Sequence, residues 1–65
     1  MYDFIKLTLS SNDKPTMIRI SSIVQMYEDT NSDGDVCTRI EFTNDYTRVK
    51  EDLLTIITLI QHVRF

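Results

Sequence analysis

The chain has 65 residues, 42% of them hydrophobic, and ten acidic residues against seven Lys and Arg give a formal charge of −3. This length predicts one small domain over residues 1–65, because a chain of about 60 residues buries only about 60% of its unfolded surface. The single cysteine excludes an intrachain disulfide, and no apolar run approaches the roughly 18 residues of a membrane span. No signal-peptide pattern is present either, so we expect a cytoplasmic protein that does not insert into membranes.

The negative charge is concentrated in one segment. Glu28, Asp29, Asp33 and Asp35 lie within eight residues that contain no Lys or Arg, and the remaining six acids face seven bases. The rest of the chain is therefore nearly neutral, and the overall charge indicates little about the partners of the protein.

The first half of the chain alternates between apolar and polar residues, which predicts half-buried β-strands. Two such stretches cover residues 2–9 and 16–20, joined by a segment rich in turn formers that ends at Pro15. Their inward residues are Ile5, Leu7, Leu9, Ile18 and Ile20. Residues 23–27 are rich in β-formers and predict a third strand, with a single helical turn at 21–24 as the alternative.

A polar connection at 28–35 precedes a second group of strands. Residues 36–42 alternate strictly, with an inward face that consists of Val36, Thr38, Ile40 and Phe42. If Asn44 and Asp45 form a two-residue turn, three pairs face each other across the hairpin. These pairs are Phe42 with Thr47, Glu41 with Arg48, and Ile40 with Val49.

From about Lys50 the apolar period becomes helical. At 100° per residue, six apolar side chains fall within an arc of about 160°, which predicts an amphipathic helix. They are Leu53, Ile56, Ile57, Leu59, Ile60 and Val63. The predicted order β-β-β-β-β-α indicates an α+β fold. We expect a small antiparallel sheet or partly open barrel of about five strands, covered by one C-terminal helix.

The acidic segment resembles the first half of a calcium-binding loop. Oxygen-bearing side chains recur at positions one, three and five, the only glycine, Gly34, is at position six, and a hydrophobic residue is at position eight. The candidate ligands are Asp29, Asn31, Asp33 and Asp35. Position twelve, where a bidentate Glu belongs, is Ile40, so a plain solvated loop is the favoured interpretation and calcium the alternative.

Nothing in the sequence favours catalysis. The only cysteine, Cys37, and the only histidine, His62, are the candidate nucleophile and base, and no third group in the pattern would orient the histidine. A structural zinc site needs four ligands, and one glycine cannot build a phosphate-binding loop. We therefore expect a protein that is not an enzyme and that uses no cofactor.

Nucleic-acid binding is the alternative function. Four bases are predicted to share the polar strand face with one aromatic residue, as in a basic surface that stacks bases. They are Lys6, Arg19, Arg39 and Arg48, with Tyr46. The acidic overall charge and the predicted pairing of Glu41 with Arg48 count against it.

Association with protein is the favoured function. Several apolar residues have no place on the predicted inward faces, and a domain of this size gains stability when a partner covers such residues. The interface candidates are Tyr2, Phe4, Tyr27, Leu54 and Phe65. The other interpretation is that a strongly curved sheet covers them itself. We expect a homo-oligomer or a docked protein partner, and exposed strand edges offer a further mode of pairing.

Several segments in order resemble one bacterial family. They are Phe-Ile-Lys-Leu-Thr at 4–8, Ile-Ser-Ser-Ile-Val at 20–24, Arg-Ile-Glu-Phe-Thr-Asn at 39–44, Arg-Val-Lys-Glu at 48–51, and the apolar helix at 53–60. Together they resemble the short flagellar and swarming-motility proteins of the FlbD/SwrD type. The chain departs from that pattern in its longer acidic loop and in Asn44-Asp45 where Asn-Gly is usual. The resemblance implies a cytoplasmic, non-enzymatic accessory protein associated with flagellar function, and no catalytic residues carry over.

Overall fold

A computed structural model describes residues 3–64, with only the backbone of Arg64, and this part of the chain contains five strands followed by one helix. The strands are β1 (Phe4–Thr8), β2 (Pro15–Arg19), β3 (Gln25–Thr30), β4 (Val36–Glu41) and β5 (Tyr46–Val49), a 3₁₀ turn occupies Ile20–Ser22, and the helix is α1 (Leu53–Arg64). The predicted α+β fold with five strands and a C-terminal helix is confirmed. Tyr2 and Phe65, two of the interface candidates, lie outside the described residues.

All strand pairs are antiparallel, and they form two sheets. β1 pairs with β2, and β3, β4 and β5 form a second sheet in that order. The sheets meet at an isolated bridge between Leu9 and Val49. On either side of it, Ser10 N–H donates to Arg48 C=O and Lys50 N–H donates to Thr8 C=O, both at 2.9 Å. The described strands do not close into a barrel, so β2 and β3 each keep a free edge.

The core lies between the inner faces of the two sheets and α1. Its buried members are Ile5, Leu7, Ile18, Ile20, Ile40, Val49 and Ile56. The predicted inward residues of the two alternating stretches in the first half are thus buried, except that Leu9 is only half-buried. α1 packs against β1 and β3 and buries Ile56 completely. Full burial of such a side chain contributes about 1.5–3 kcal/mol.

Asp52 caps the N-terminus of α1. Its Oδ1 accepts the Thr55 N–H at 2.8 Å, and its C=O accepts the Ile56 N–H at 3.0 Å. The hydrogen bonds from Thr55 lower the pKa of Asp52 below its ordinary value. An acidic side chain at this end also complements the positive end of the helix dipole.

The apolar stripe of α1 is wider than the surface that covers it. Ile57 and Val63, both predicted to face inward, are 43% and 37% exposed, and Leu54 is 73% exposed. The sheets cover only the part of the stripe around Ile56, with Leu59 and Ile60 half-buried beside it. One flank of the helix is left as apolar surface.

The third strand differs from the prediction at both ends. It begins at Gln25 instead of residue 23 and continues to Thr30, so the connection to β4 is residues 31–35 and not 28–35. The alternative prediction, a helical turn at 21–24, corresponds to the 3₁₀ turn, which begins one residue earlier at Ile20. Glu28 and Asp29 fit a strand because β3 lies at an edge, where polar side chains remain solvated. Val36, predicted inward, is 67% exposed at the start of β4.

The predicted register of the last hairpin is wrong by two residues. Thr38 pairs with Val49, Ile40 with Thr47 and Glu41 with Tyr46, so a four-residue loop replaces the two-residue turn. Phe42 N–H donates to Asp45 C=O at 2.8 Å within that loop. Phe42 leaves the ladder to pack against the core, which explains the wider loop. Because the shift is even, the paired residues 38–41 and 46–49 keep their predicted faces.

Candidate functional site

The solvent-facing side of the three-stranded sheet carries a dense polar network, here called the outer sheet face. The register Tyr27–Arg39–Arg48 and Gln25–Glu41–Tyr46 aligns these residues across the three strands. Alternation along each strand places on this face Gln25, Tyr27, Asp29, Arg39, Glu41, Tyr46 and Arg48, together with Cys37, which is buried beneath its neighbours.

Glu41 is the centre of this network. Its carboxylate accepts Gln25 Nε2 at 2.5 Å and Tyr27 Oη at 2.9 Å. These two donors hold the pKa of Glu41 below its ordinary value, and the hydrogen bond to Glu41 raises the pKa of Tyr27. Arg39 Nε lies 3.0 Å from Glu41 Oε2 in an ion pair, but among the described residues its N–H reaches no acceptor in hydrogen-bond geometry.

Two arginines flank the ring of Tyr46. The guanidinium carbon of Arg39 is 3.8 Å from the ring centroid, and that of Arg48 is 5.2 Å away. Such contacts contribute about 0.5–1 kcal/mol at exposed sites. Arg48 Nε also donates to Asp29 Oδ2 at 3.0 Å. The pKa of Asp29 is lowered first by the Thr30 N–H and then by Arg48, and the pKa of Arg48 is raised by Asp29.

These contacts divide the predicted nucleic-acid surface. Arg39, Arg48 and Tyr46 lie together, but each arginine is paired with a carboxylate. The predicted pairing of Glu41 with Arg48 is wrong, because the shifted register places Arg48 opposite Arg39, and Arg48 binds Asp29 instead. Lys6 and Arg19 lie on the other sheet, where the Arg19 guanidinium is 5.3 Å from the centroid of Phe4.

The calcium candidates are placed on two different elements. Asp29 lies in β3 and binds Arg48, whereas Asn31 organises the loop that follows. Asn31 Oδ1 accepts the N–H groups of Asp33 and Asp35, both at 3.0 Å, and its Nδ2 donates to Ser10 Oγ at 3.1 Å. Within residues 3–64 no three His, Cys, Asp or Glu side chains lie close enough to hold a metal. Calcium binding would require Asp29 and Asn31 to exchange these contacts for an ion.

A shallow polar groove separates the loop at 10–13 from the loop at 31–35. Ser10, Ser11 and Asp33 line it, and Lys50 closes one side through an ion pair with Asp13. This ion pair raises the pKa of Lys50. One side-chain hydrogen bond, from Asn31 to Ser10, joins the two loops beside the groove.

Cys37 and His62 lie on separate elements. Cys37 is buried in β4, and His62 is exposed near the end of α1. The expectation that the protein is not an enzyme stays a prediction.

The described interface candidates lie on three different surfaces. Phe4 is 38% exposed on the two-stranded sheet, Tyr27 is 38% exposed on the outer sheet face, and Leu54 is on α1. The structure adds Ile57 to the surface of Leu54. Leu54, Ile57 and Gln61 recur at intervals of three and four residues, and we call them the helix flank. Helical periodicity alone assigned Ile57 to the core, because it cannot show how far the sheets extend over the helix.

No family model matches the sequence, and neither the curated proteins nor the solved structures contain a significant match to it. In the part of the chain that the structure describes, no helix has the length and apolarity needed to cross a membrane.

Proposed function

We propose that the protein is a non-enzymatic association module that forms a homodimer through its helix flank. The observation that carries the proposal is the exposure of Leu54, which leaves a large apolar side chain 73% accessible beside the 43% accessible Ile57. Surface apolar residues that adjoin one another on a helix are typical of a helix–helix contact.

The spacing of the helix flank suits a second copy of the same helix. Intervals of three and four residues produce a narrow seam, and two such seams pack side by side. Residues 53–63 contain no Asp, Glu, Lys or Arg, so two copies approach without repulsion between full charges. An antiparallel arrangement sets the positive end of each helix dipole beside the negative end of the other. In that arrangement Ile57 lies near the two-fold axis, and Leu54 packs toward Gln61 of the second copy.

The size of the flank predicts a weak dimer. A helix of 12 residues is about 18 Å long. A standard interface covers about 800 Å² per partner, and the whole chain exposes only 4782 Å². One short helix cannot supply all of that area, so we expect dissociation at low micromolar concentration.

The cellular role is part of the same proposal. The resemblance to FlbD/SwrD-type proteins supports an accessory function in bacterial flagellar motility, in the cytoplasm. Association through α1 would then be the means by which the protein assembles with itself.

The test is the molecular mass as a function of concentration. Sedimentation equilibrium from about 1 μM to about 1 mM spans the range in which weak dimers form. We expect the wild type to shift from monomer to dimer, and Leu54→Glu to remain monomeric with an unchanged circular dichroism spectrum. Thr55→Glu adds the same charge at an exposed position about 100° around α1 from Leu54 and farther from Ile57 and Gln61, and it should still dimerise. A wild-type monomer at every concentration would overturn the proposal.

A further inference from the structure

The free edge of β2 has backbone groups available for another strand. Within the described residues β2 pairs with β1 alone. The ladder between β1 and β2 continues by one hydrogen-bonded pair at each end. Ile20 N–H donates to Asp3 C=O and Leu9 N–H donates to Lys14 C=O, both at 2.8 Å. In an antiparallel pair alternate residues exchange both bonds with the partner, so the even-numbered residues of β2 bind β1. Met17 and Arg19 therefore direct their N–H and C=O groups toward the free edge.

The side chains beside this edge are apolar and basic. Phe4 lies opposite Arg19 and Lys6 opposite Met17, all on the face away from the core. Met17 is 59% exposed and Phe4 is 38% exposed. The nearby acids are already engaged: Asp3 accepts the Ser21 N–H at 3.2 Å, and Asp13 is paired with Lys50. Among the described residues no ion pair engages Lys6 or Arg19, so their positive charge remains beside an apolar surface.

We propose that this edge binds an extended, acidic segment of a partner protein, which adds to β1 and β2 as a third antiparallel strand. Backbone groups of Met17 and Arg19 supply the hydrogen bonds. The side chains on the face of β1 and β2 away from the core select the sequence of the partner segment. Pro15 has no N–H and ends the usable edge.

The register defines a short motif. In an antiparallel strand the residue opposite Arg19 precedes, by two positions, the residue opposite Met17. An acidic residue followed two positions later by an apolar one therefore places a carboxylate against Arg19 and an aliphatic side chain against Met17. A second copy of β2 fits poorly, because it would bring Lys14 and Arg19 of both chains together.

A five-residue probe tests the proposal: acetyl-Thr-Glu-Thr-Val-Thr-amide, titrated into the ¹⁵N-labelled protein with hydrogen exchange measured at each amide. We expect the amides of Met17 and Arg19 to become protected. N-methylation of the Glu and Val nitrogens should abolish binding, because those N–H groups face β2. N-methylation of the central Thr should leave binding intact.

Two variants test the charge selection. Arg19→Gln should weaken binding several-fold. Ser32→Asp produces the same change in net charge in the exposed loop at 31–35, outside both proposed binding surfaces, and should leave peptide binding unchanged. The sites are separate, so peptide binding and dimerisation can fail independently. Three results would overturn the proposal: no protection of Met17 and Arg19 at about 5 mM peptide, equal binding of both N-methylated peptides, or stronger and salt-dependent binding of a short oligothymidylate without amide protection.

Discussion

The carboxylate of Glu51 holds Thr8 by two hydrogen bonds, from the Thr8 N–H at 2.9 Å and from its hydroxyl at 3.0 Å. The carbonyl of the same residue accepts the hydroxyl of Thr38 at 2.7 Å. Thr38 is only 1% exposed. One residue between β5 and α1 thus connects the end of β1 to the middle of β4, directly before the Asp52 cap of the helix.

Replacement of Glu51 by alanine should destabilise the fold. Both hydrogen bonds to Thr8 are lost, one of them to a backbone N–H, and hydrogen bonds to charged groups contribute about 1.5–3 kcal/mol. Urea denaturation should show a loss of that size in the free energy of unfolding. Glu28→Ala, which removes an exposed carboxylate from β3, should change it by less than about 0.5 kcal/mol. Equal effects of the two substitutions would show that Glu51 does not join the sheets.

The cap at Asp52 should make α1 sensitive to acid. The pKa of Asp52 is lowered in the folded state, so its contribution is full above the ordinary value of 3.8 and is lost as the pH falls through the lower, folded-state value. Asp52→Asn keeps a good cap that does not titrate. The melting temperature should therefore fall less between pH 7 and pH 3 in the variant than in the wild type. A drop of the same size in both would show that other carboxylates, such as Asp29 and Glu41, dominate acid unfolding.

The two neighbouring isoleucines of α1 should respond differently to truncation. Ile56 is completely buried and Ile57 is 43% exposed. Ile56→Val removes a methylene from the core and should cost about 0.5–1.5 kcal/mol. Ile57→Val in the monomeric Leu54→Glu background should cost less than about 0.5 kcal/mol. Thermal unfolding measured by circular dichroism checks both. A larger loss of stability for Ile57→Val than for Ile56→Val would show that the Ile57 side of α1, and not the Ile56 side, packs against the sheets.

The hydrogen bond between Tyr27 and Glu41 should be visible in the titration of the phenol. The pKa of Tyr27 is raised above 10.0, chiefly by this bond. It therefore stabilises the fold below pH 10.0, and the stabilisation is lost as the pH rises through the folded-state value. Glu41→Gln should bring the pKa of Tyr27 back toward 10.0. Carbon-13 NMR of the tyrosine rings compares the pKa of Tyr27 in the wild type and in Glu41→Gln, and an unchanged pKa would exclude the bond in solution.

Periodicity predicted the elements that face one core. Ile5 and Leu7 in β1, Ile18 in β2 and Ile56 in α1 are buried because alternation and helical spacing report directly on which side of an element is apolar. The same rules placed Arg39 and Tyr46 on one polar face, where the structure stacks them.

Other features depend on tertiary contacts that the residues do not encode locally. The last hairpin is wider than its turn residues suggest, because Phe42 packs against the core instead of pairing with Thr47. Asp29 is held across the sheet by Arg48, two strands away, a contact that the sequence around either residue does not show. The exposed helix flank follows from the limited width of the sheets, which no periodicity reveals.

The bridge between Leu9 and Val49 has a consequence for synthesis. β1 acquires its second neighbour only after 40 further residues have been added, which takes about 2–8 s at about 5–20 residues per second. During that interval β5 is not available to pair with β1, and Ile5 and Leu7 lack the residues that bury them in the complete fold. The core is therefore completed only by the last third of the sequence, because Val49 and Ile56, which are fully buried against β1 and its neighbours, are added after the first hairpin.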